Sequence, residues 1–581
     1  MMKPAQREAA SPRRLWFAAG LAVILSLTLN ICLRLTMGGY QLGLVADDFT
    51  LMASNQTMPP GWRWPLADEP LFLLWDAARV TLLGTEARPH YLMLGLLLTA
   101  NALLAFWLVA RLGGDALFAL TFLVFFLTQP NRGEAEYWIS SPYPLVGLLL
   151  LASLHLALGW LRQAGRSRYA GCWFCYALAV FTHESALGFA AVAAALWAIE
   201  TRRRDLAGAA RFLAPFAVTA ASYLVLRQTQ WFGLGYAGIG AGRPIAEANW
   251  AGNLKDILGG LFGSQYLAST EALIRQGSAA GDTMAWAAAG LLAVLLAAAL
   301  AGEQRQKLRL AQGLILGALA LAGSALFASG PGFPQPFATL ALVLRAVVAG
   351  FLVAVLWVFL RRPGQARPGD AALWRLLALA LAWYFFAFAA NLFWYVANRH
   401  FYLPSVGTAL LLACLLCLPI SMISSGWQRD LATGAAVVAV ALVGGAFHLA
   451  RRAEAGDWRE ATRTVRLLER QLREQLPAAP AGKSVIILDL TPRYGVAAWM
   501  PPYGVRDALR LWYRDPALAA GGALIPYPDH FEMIPPSPRG HQRYEDLLLF
   551  SFHHERLERI ALGPERKAPP GVAIYSSVGW K

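Results

Sequence analysis

Charged residues are scarce in this chain of 581 residues, of which only 15% are Asp, Glu, Lys or Arg. Soluble domains average about 25%. Hydrophobic residues make up 57% of the chain, and many apolar stretches reach about 20 residues, enough to cross a hydrocarbon core about 30 Å thick. This composition excludes an ordinary soluble protein and predicts an α-helical, polytopic integral membrane protein.

Cysteine is also rare, with five residues in the whole chain. Two pairs, Cys172/Cys175 and Cys414/Cys417, have CxxC spacing, but each lies in an apolar run without metal-ligating neighbours. We interpret them as small buried apolar residues and expect no disulfide framework. We also find no internal repeat in the sequence.

The formal net charge of +15 comes from basic residues clustered in short loops between apolar runs. Such clusters are typical of cytoplasmic loops next to anionic lipid headgroups. We therefore expect contacts with membrane lipids and no binding to nucleic acid.

About 13 membrane-spanning helices are predicted from run length. The first follows a basic cytoplasmic tail, 1–14, and is read as a retained span because no small-residue cleavage site follows it. The predicted spans are 15–33, 91–111, 115–129, 143–161, 169–182, 184–200, 211–227, 284–301, 310–329, 337–360, 371–391, 402–421 and 431–449.

Alternating the sides of successive spans gathers basic residues on one side of the membrane, which is then cytoplasmic. That side receives Arg111, Arg162, Arg166, Arg168, Arg202, Arg203, Arg204, Arg305, Lys307, Arg309, Arg361, Arg362, Arg367 and Arg429. The N-terminus is then cytoplasmic and the C-terminus extracytoplasmic, and the predicted location is the bacterial inner membrane.

Three long segments are predicted on the outer side of the transmembrane domain 15–449. The loop 35–90 contains an apolar stretch, 71–83, suited to an interfacial amphipathic helix. The loop 228–283 is rich in glycine. The segment 450–581 is predicted to be a small α/β domain, with a charged helix at 457–476 and a buried strand at 484–490.

Two adjacent carboxylates, Asp47 and Asp48, stand just beyond the first span. Like charges side by side repel, which predicts a raised pKa or a cationic partner for one of them. Either carboxylate is suited to accept a proton from a hydroxyl group. A solvated helix end is the alternative interpretation of the same pair.

Further polar residues are predicted near the outer membrane edge or inside an apolar run. Arg132 is predicted to pair with Glu134 or Glu136. His183 and Glu184 are suited to a phosphate-bearing ligand, but they lack the spacing typical of metal sites. The candidate residues for donor-phosphate or substrate binding are Arg63, Glu134, His183, Glu184, Arg345, Arg399 and Tyr402.

The order of these motifs resembles the GT-C superfamily of integral membrane glycosyltransferases. Within it, the protein O-mannosyltransferases and their tetratricopeptide-repeat relatives are the most similar group. After the acidic pair, the chain has Arg63-Trp64-Pro65-Leu66, Pro89-His90 leading to Asn101, Pro130-x-x-x-Glu134-Ala-x-x-Trp138-Ile139, His183-Glu184-Ser185-Ala186 and Arg399-x-x-Tyr402-Leu403-Pro404-Ser405-Val406-Gly407.

The resemblance implies transfer of a sugar from a polyprenyl-phosphate donor to a glycan, lipid or protein acceptor on the outer face. An acidic residue of the first outer loop, here Asp47 or Asp48, would be the base, and Arg399 would assist the phosphate leaving group. A divalent metal is possible but not required. His183 stands where the group often has lysine, and the tetratricopeptide segment has no counterpart, so acceptor recognition is not implied.

Two other classes of protein stay open. A transporter or lipid flippase would also be polytopic, but it favours internal repeats and paired helix breaks. A non-catalytic envelope-assembly protein would need none of the carboxylates.

Overall fold

The chain is described here by a computed structural model. It covers residues 12–32, 42–45, 48–49, 52, 69–113, 115–130, 132–201, 205–228, 249–261, 368–393, 396–421, 426–490, 493–494, 497–498, 500, 502–526, 531–534 and 543–561. The predicted spans 284–301, 310–329 and 337–360 lie outside the described residues, as do Asp47, Arg63 and Arg345.

Most of the described chain is helical. The first helix, α1, runs over Pro12–Leu27 and continues as a π-helical turn, Thr28–Cys32. The helices that follow are α2 (Pro70–Leu83), α3 (Ala87–Arg111), α4 (Ala116–Thr128), α5 (Gly133–Tyr137), α6 (Tyr143–Gln163), α7 (Arg166–Thr182), α8 (Phe189–Thr201), α9 (Leu206–Gln228), α10 (Trp250–Leu261), α11 (Pro368–Ala387), α12 (Pro404–Ser421), α13 (Gly426–Gln475) and α14 (Pro502–Tyr513).

Local chemistry explains several helix boundaries. Helix α4 begins after Asp115, whose Oδ1 accepts the Phe118 N–H at 2.7 Å, a side-chain N-cap. Helix α6 carries Pro144 in its first turn and ends at Ala164, which adopts a left-handed conformation with φ 43°. Helices α11 and α12 pack closely because Gly407 has no side chain: a Cβ there would lie 2.6 Å from the Ala380 carbonyl oxygen.

Among the described residues, five helices are long and apolar enough to cross a membrane. They are Ala87–Arg111, Tyr143–Gln163, Glu184–Thr201, Leu206–Leu226 and Arg429–Gln475. The prediction of a helical membrane protein agrees with this finding. The total of about 13 spans remains a prediction.

Helix α13 is a single helix of 50 residues. It joins the predicted span 431–449 to the predicted charged helix 457–476 without a break at residue 450. The backbone hydrogen bonds of a helix do not depend on whether its side chains face lipid or water, so a change of composition need not end it. The charged half packs inward through Trp458, Val465, Leu468 and Leu472, which are buried.

Four strands of the C-terminal part form one sheet: β1 (Ser484–Leu488), β4 (Ala519–Gly521), β7 (Leu547–His553) and β8 (Arg556–Ile560). Their order across the sheet is β4-β1-β7-β8. Strand β1 is buried along its length and pairs in parallel with β4 and β7, while β8 is antiparallel to β7. Two short ribbons add β2 (Arg493–Tyr494) with β3 (Ala497–Ala498), and β5 (Ala523–Pro526) with β6 (Phe531–Ile534).

The two ends of the helical bundle differ in their charged groups. At one end, Arg162 Nε lies 3.0 Å from Glu200 Oε2, and Arg111 Nη1 lies 3.1 Å from His155 Nδ1. Most of the buried carboxylates of the described bundle lie at the opposite end, where α3, α6 and α8 begin and α4 and α7 end. We call this opposite end the carboxylate end.

Candidate functional site

Asp48 lies at the carboxylate end with only 1% of its surface exposed. Its Oδ1 accepts the Ser140 N–H at 2.8 Å, and its Oδ2 accepts the Val45 N–H at 3.2 Å. The next residue, Phe49, packs edge-on against Trp512, with ring centroids 5.8 Å apart. Asp48 is therefore held between the segment before α6 and its own loop, not at a solvated helix end.

Burial raises the pKa of Asp48 from 3.8 to about 7, although both backbone N–H groups and the positive charge of Arg79 act in the opposite direction. A carboxyl group with this pKa can take up or release a proton near neutral pH. Because the pKa is raised on folding, the protonated carboxyl stabilises the fold below about pH 4, and this contribution is lost as pH rises to about 7.

One peptide unit connects Asp48 to a second buried charge. Arg79 Nη1 donates to the Ile139 carbonyl at 2.8 Å, while the N–H of the same peptide unit, that of Ser140, donates to Asp48. Arg79 also pairs with Asp76, one turn earlier on α2, and both side chains are buried. The guanidinium thus polarises the peptide whose N–H binds the carboxylate, and hydrogen bonds in such chains strengthen one another.

The sequence prediction missed Asp76 and Arg79. Both lie in 71–83, for which the sequence predicts an interfacial amphipathic helix. The available signal was the i,i+3 spacing of two opposite charges on an otherwise apolar helix, because buried charges are paired.

We expect Arg79→Gln to raise the pKa of Asp48. The charge of Arg79 lowers that pKa, so its removal favours the protonated carboxyl. The measurement is the titration of the Asp48 carboxyl by isotope-edited infrared spectroscopy. Arg88→Gln, the same charge loss at an exposed position, is the matched control, and equal midpoints for both variants would refute the coupling.

Glu134 and Arg399 form an ion pair across the site, with Arg399 Nη1 3.1 Å from Glu134 Oε2. The Glu134 side chain is 2% exposed and that of Arg399 is 22% exposed. The guanidinium lies over the Trp138 ring, 5.3 Å from its centroid. Arg399 is therefore oriented from the inside by Glu134 and Trp138, while part of its surface stays accessible.

A buried charge network lies behind this pair. Arg132 Nη2 is 2.7 Å from Glu136 Oε1, so the predicted local ion pair is formed with Glu136. Arg451 of α13 pairs with the other oxygen of Glu136 and donates to the Leu127 carbonyl. Glu136 thus lies between two buried guanidinium groups and ties α4, α5 and α13 together.

Tyr402 lies in the protein interior. Its hydroxyl accepts from Asn101 Nδ2 at 2.8 Å, and the same amide nitrogen lies 2.7 Å from the Pro144 carbonyl oxygen. Only 2% of Tyr402 is exposed. Its role in binding an anionic group stays a prediction.

His183 follows α7 and joins two glutamates at the edge of the site. Its Nε2 is 3.3 Å from Glu69 Oε1, and its Nδ1 accepts the Ser185 N–H at 3.1 Å and lies 3.8 Å from Glu184 Oε2. Since Nδ1 accepts a hydrogen bond, a neutral ring carries its proton on Nε2 and donates it to Glu69. The tautomer that accepts the Ser185 N–H is therefore also the one that can donate to Glu69.

These three side chains form a possible metal-binding group, with one ligand atom from each within 4.8 Å of the others. A metal on Nε2 would require the ring proton to move to Nδ1, where the Ser185 N–H points. The hydrogen bonding therefore favours a proton-bearing imidazole at this position over a metal ligand.

Several buried polar atoms near the start of α6 have no hydrogen-bond partner within the described part of the chain. They are the Ser141 hydroxyl, the indole N–H of Trp138 and both atoms of the Gln129 amide. The Ser140 side chain interacts with Asp48 and lowers the pKa of its carboxyl. Buried polar atoms are ordinarily satisfied by protein, water or ligand. These residues therefore offer buried polar atoms that a water or a hydroxyl-bearing molecule could satisfy.

The cysteines agree with their interpretation. Cys172, Cys175, Cys414 and Cys417 are free thiols, and Cys172 and Cys414 are buried.

No protein-family model and no curated protein sequence matches the chain. Among solved structures, the apo crystal structure of ArnT from Cupriavidus metallidurans is similar over 84% of this chain and 84% of that chain, at 14% identity and a TM-score of 0.35. ArnT from the same organism bound to undecaprenyl phosphate is similar over 88% of this chain and 90% of that chain, at 13% identity and a TM-score of 0.36. Scores this low do not establish a common fold, and no residue role is taken from them.

Proposed function

We propose that this chain is a membrane glycosyltransferase that moves a sugar from a polyprenyl-phosphate donor to an acceptor at the outer membrane face. The observation that carries the proposal is Asp48, a buried carboxylate with a pKa of about 7 at the same end of the bundle as Arg399 and His183. A proton acceptor and a cation at one end of an apolar bundle are the groups that this reaction needs.

In the proposed reaction, Asp48 accepts the proton of the acceptor hydroxyl, whose oxygen bonds to the anomeric carbon of the sugar. The bond from that carbon to the phosphate oxygen breaks at the same time, and the lipid phosphate leaves with the electron pair. Direct displacement inverts the anomeric configuration. The acceptor hydroxyl would enter beside the Ser140 and Ser141 hydroxyls, and Asp47 is the alternative base.

Arg399 is proposed to stabilise the negative charge that develops on the departing phosphate. Glu134 and Trp138 orient its guanidinium, which is partly exposed, and guanidinium N–H groups suit phosphate oxygens. His183 is a further proposed phosphate contact, in which its Nε2–H would exchange Glu69 for a phosphate oxygen. Arg63 and Arg345 are further proposed phosphate contacts, and no step requires a metal.

The donor sugar is proposed from the sequence resemblance. The order of motifs resembles that of the O-mannosyltransferase group, so a polyprenyl-phosphate mannose is the first donor to test, followed by other hexose and pentose donors. Catalysis on the outer side of the bacterial inner membrane is part of the same proposal, supported by the basic residues at the opposite end of the bundle.

The experiment is reconstitution of the purified chain in liposomes with labelled polyprenyl-phosphate sugars and envelope glycan extracts. The proposal predicts a labelled glycan product with inverted anomeric configuration. Movement of the donor lipid across the bilayer without transfer would instead identify a flippase. If neither sugar transfer nor lipid movement occurs, the result would favour a non-catalytic assembly protein.

A further inference from the structure

The charged half of α13 carries five arginines on one face: Arg452, Arg459, Arg463, Arg466 and Arg470. At 100° per residue, the spacings of 7, 4, 3 and 4 positions place all five within an arc of about 60°. At 1.5 Å per residue, they extend over about 27 Å of helix. We call these five residues the arginine face.

Four of these arginines line a cleft of about 510 Å³ together with Glu460, Thr462 and Leu467. Arg463, Arg466 and Arg470 are exposed, and Arg459 is half-buried. Glu460 and Glu555 both pair with Arg463. Four arginines and these two glutamates give the cleft a formal charge of +2. Like charges three and four positions apart repel on a helix, and an anion bound across the arginines would reduce that repulsion.

The cleft adjoins the segment that carries Asp48. The Gly43 N–H donates to Thr462 Oγ1 at 3.2 Å, and a Cβ at Gly43 would lie only 2.9 Å from Thr462 Cγ2. Gly43 precedes Asp48 by five residues, so a ligand in the cleft lies beside the chain that leads to the proposed base.

We propose that the arginine face binds an oligoanionic part of the acceptor, a glycan that carries several phosphate or carboxylate groups. The role of the ligand as acceptor rests on the proposed function. The C-terminal half of α13 would then bind the acceptor, a role that the reaction chemistry alone does not require. Guanidinium groups suit phosphate and carboxylate because their planar N–H pairs bind two oxygens at once.

The test is the binding of inorganic tripolyphosphate to the full-length protein in neutral detergent, measured by thermophoresis. We expect the variant Arg463→Gln/Arg466→Gln/Arg470→Gln to bind at least tenfold more weakly than the wild type, and the wild-type affinity to fall as salt is raised. The control, Arg514→Gln/Arg543→Gln/Arg559→Gln, loses the same charge at exposed positions off the face and should bind within twofold of the wild type. Equal affinities for the two triple variants would overturn the assignment.

A second variant tests whether weaker binding could result from misfolding. Arg466→Gln/Arg470→Gln leaves the pairs of Arg463 with Glu460 and Glu555 intact, and it should still weaken binding severalfold at an unchanged melting temperature. Unchanged binding by this variant would also count against the arginine face.

Reconstitution in nanodiscs tests whether the bound anion belongs to a glycan or to a lipid headgroup. Tripolyphosphate affinity is measured in nanodiscs of phosphatidylcholine with and without phosphatidylglycerol. The proposal predicts equal affinity in both, while displacement by phosphatidylglycerol would make the occupant a lipid and overturn the acceptor assignment. Binding without any sugar transfer would refute the proposed function alone, whereas transfer that is insensitive to the arginine variants would refute this inference alone.

Discussion

Replacing Asp48 with Asn is expected to slow sugar transfer by about 10²–10⁴, the usual contribution of a general base. The carboxamide occupies nearly the same volume but cannot accept the hydroxyl proton. The loss should appear in kcat, with little change in the donor KM, because Asp48 is proposed to act on the acceptor hydroxyl. Initial rates with a labelled polyprenyl-phosphate sugar give both values.

The control for this substitution is Asp115→Asn. Asp115 also accepts a backbone N–H, at 2.7 Å, but it lies at the opposite end of the bundle. Asp48→Asn should itself lower stability by about 1–3 kcal/mol, since the new NH₂ group must face the Val45 or the Ser140 N–H. Unchanged kcat in a folded Asp48→Asn protein would remove Asp48 as the base, and the same result with Asp47→Asn added would remove the enzymatic proposal.

Glu136→Gln is expected to be among the most destabilising conservative substitutions in the described chain. The carboxylate of Glu136 lies between the guanidinium groups of Arg132 and Arg451, all three of them buried. Removing one partner of a buried ion pair costs about 3–5 kcal/mol, because the remaining charge is left uncompensated. Chemical unfolding in detergent measures the change in the free energy of unfolding.

A second substitution and an exposed pair sharpen this test. Adding Arg451→Met to Glu136→Gln removes one of the two uncompensated charges, so the double variant should be more stable than Glu136→Gln alone. Arg543→Gln breaks an exposed pair with Glu545 and should cost less than about 1 kcal/mol. If Glu136→Gln cost no more than Arg543→Gln, the network would not be what joins α5 to α13.

Most of the helices could be predicted because a span across lipid must be apolar over its whole length. Alternating the sides of successive spans also predicts that Glu134, His183 and Arg399 lie at one end of the bundle. Each of them follows an odd-numbered predicted span. The pairing of Arg132 with Glu136 was accessible for a similar reason, because a separation of four residues on a helical turn brings side chains together.

The long-range contacts of the site could not be predicted. Arg451 meets Glu136 across 315 positions of sequence, and Asp48 meets Ser140 across 92. Nothing in the local pattern of either segment identifies its partner. The continuity of α13 through residue 450 was hidden for a different reason: an abrupt change from apolar to charged residues resembles a domain boundary, although helix geometry allows both in one element.

The central claim is that the raised pKa of a buried Asp48 drives proton removal from the acceptor. The most direct measurement is the single-turnover rate of transfer by the wild-type protein as a function of pH. We expect a half-maximal rate near pH 7, the pKa of Asp48, with a fall of about tenfold per pH unit below it and a plateau above it. A rate that stays constant between about pH 5 and pH 9 would contradict the account.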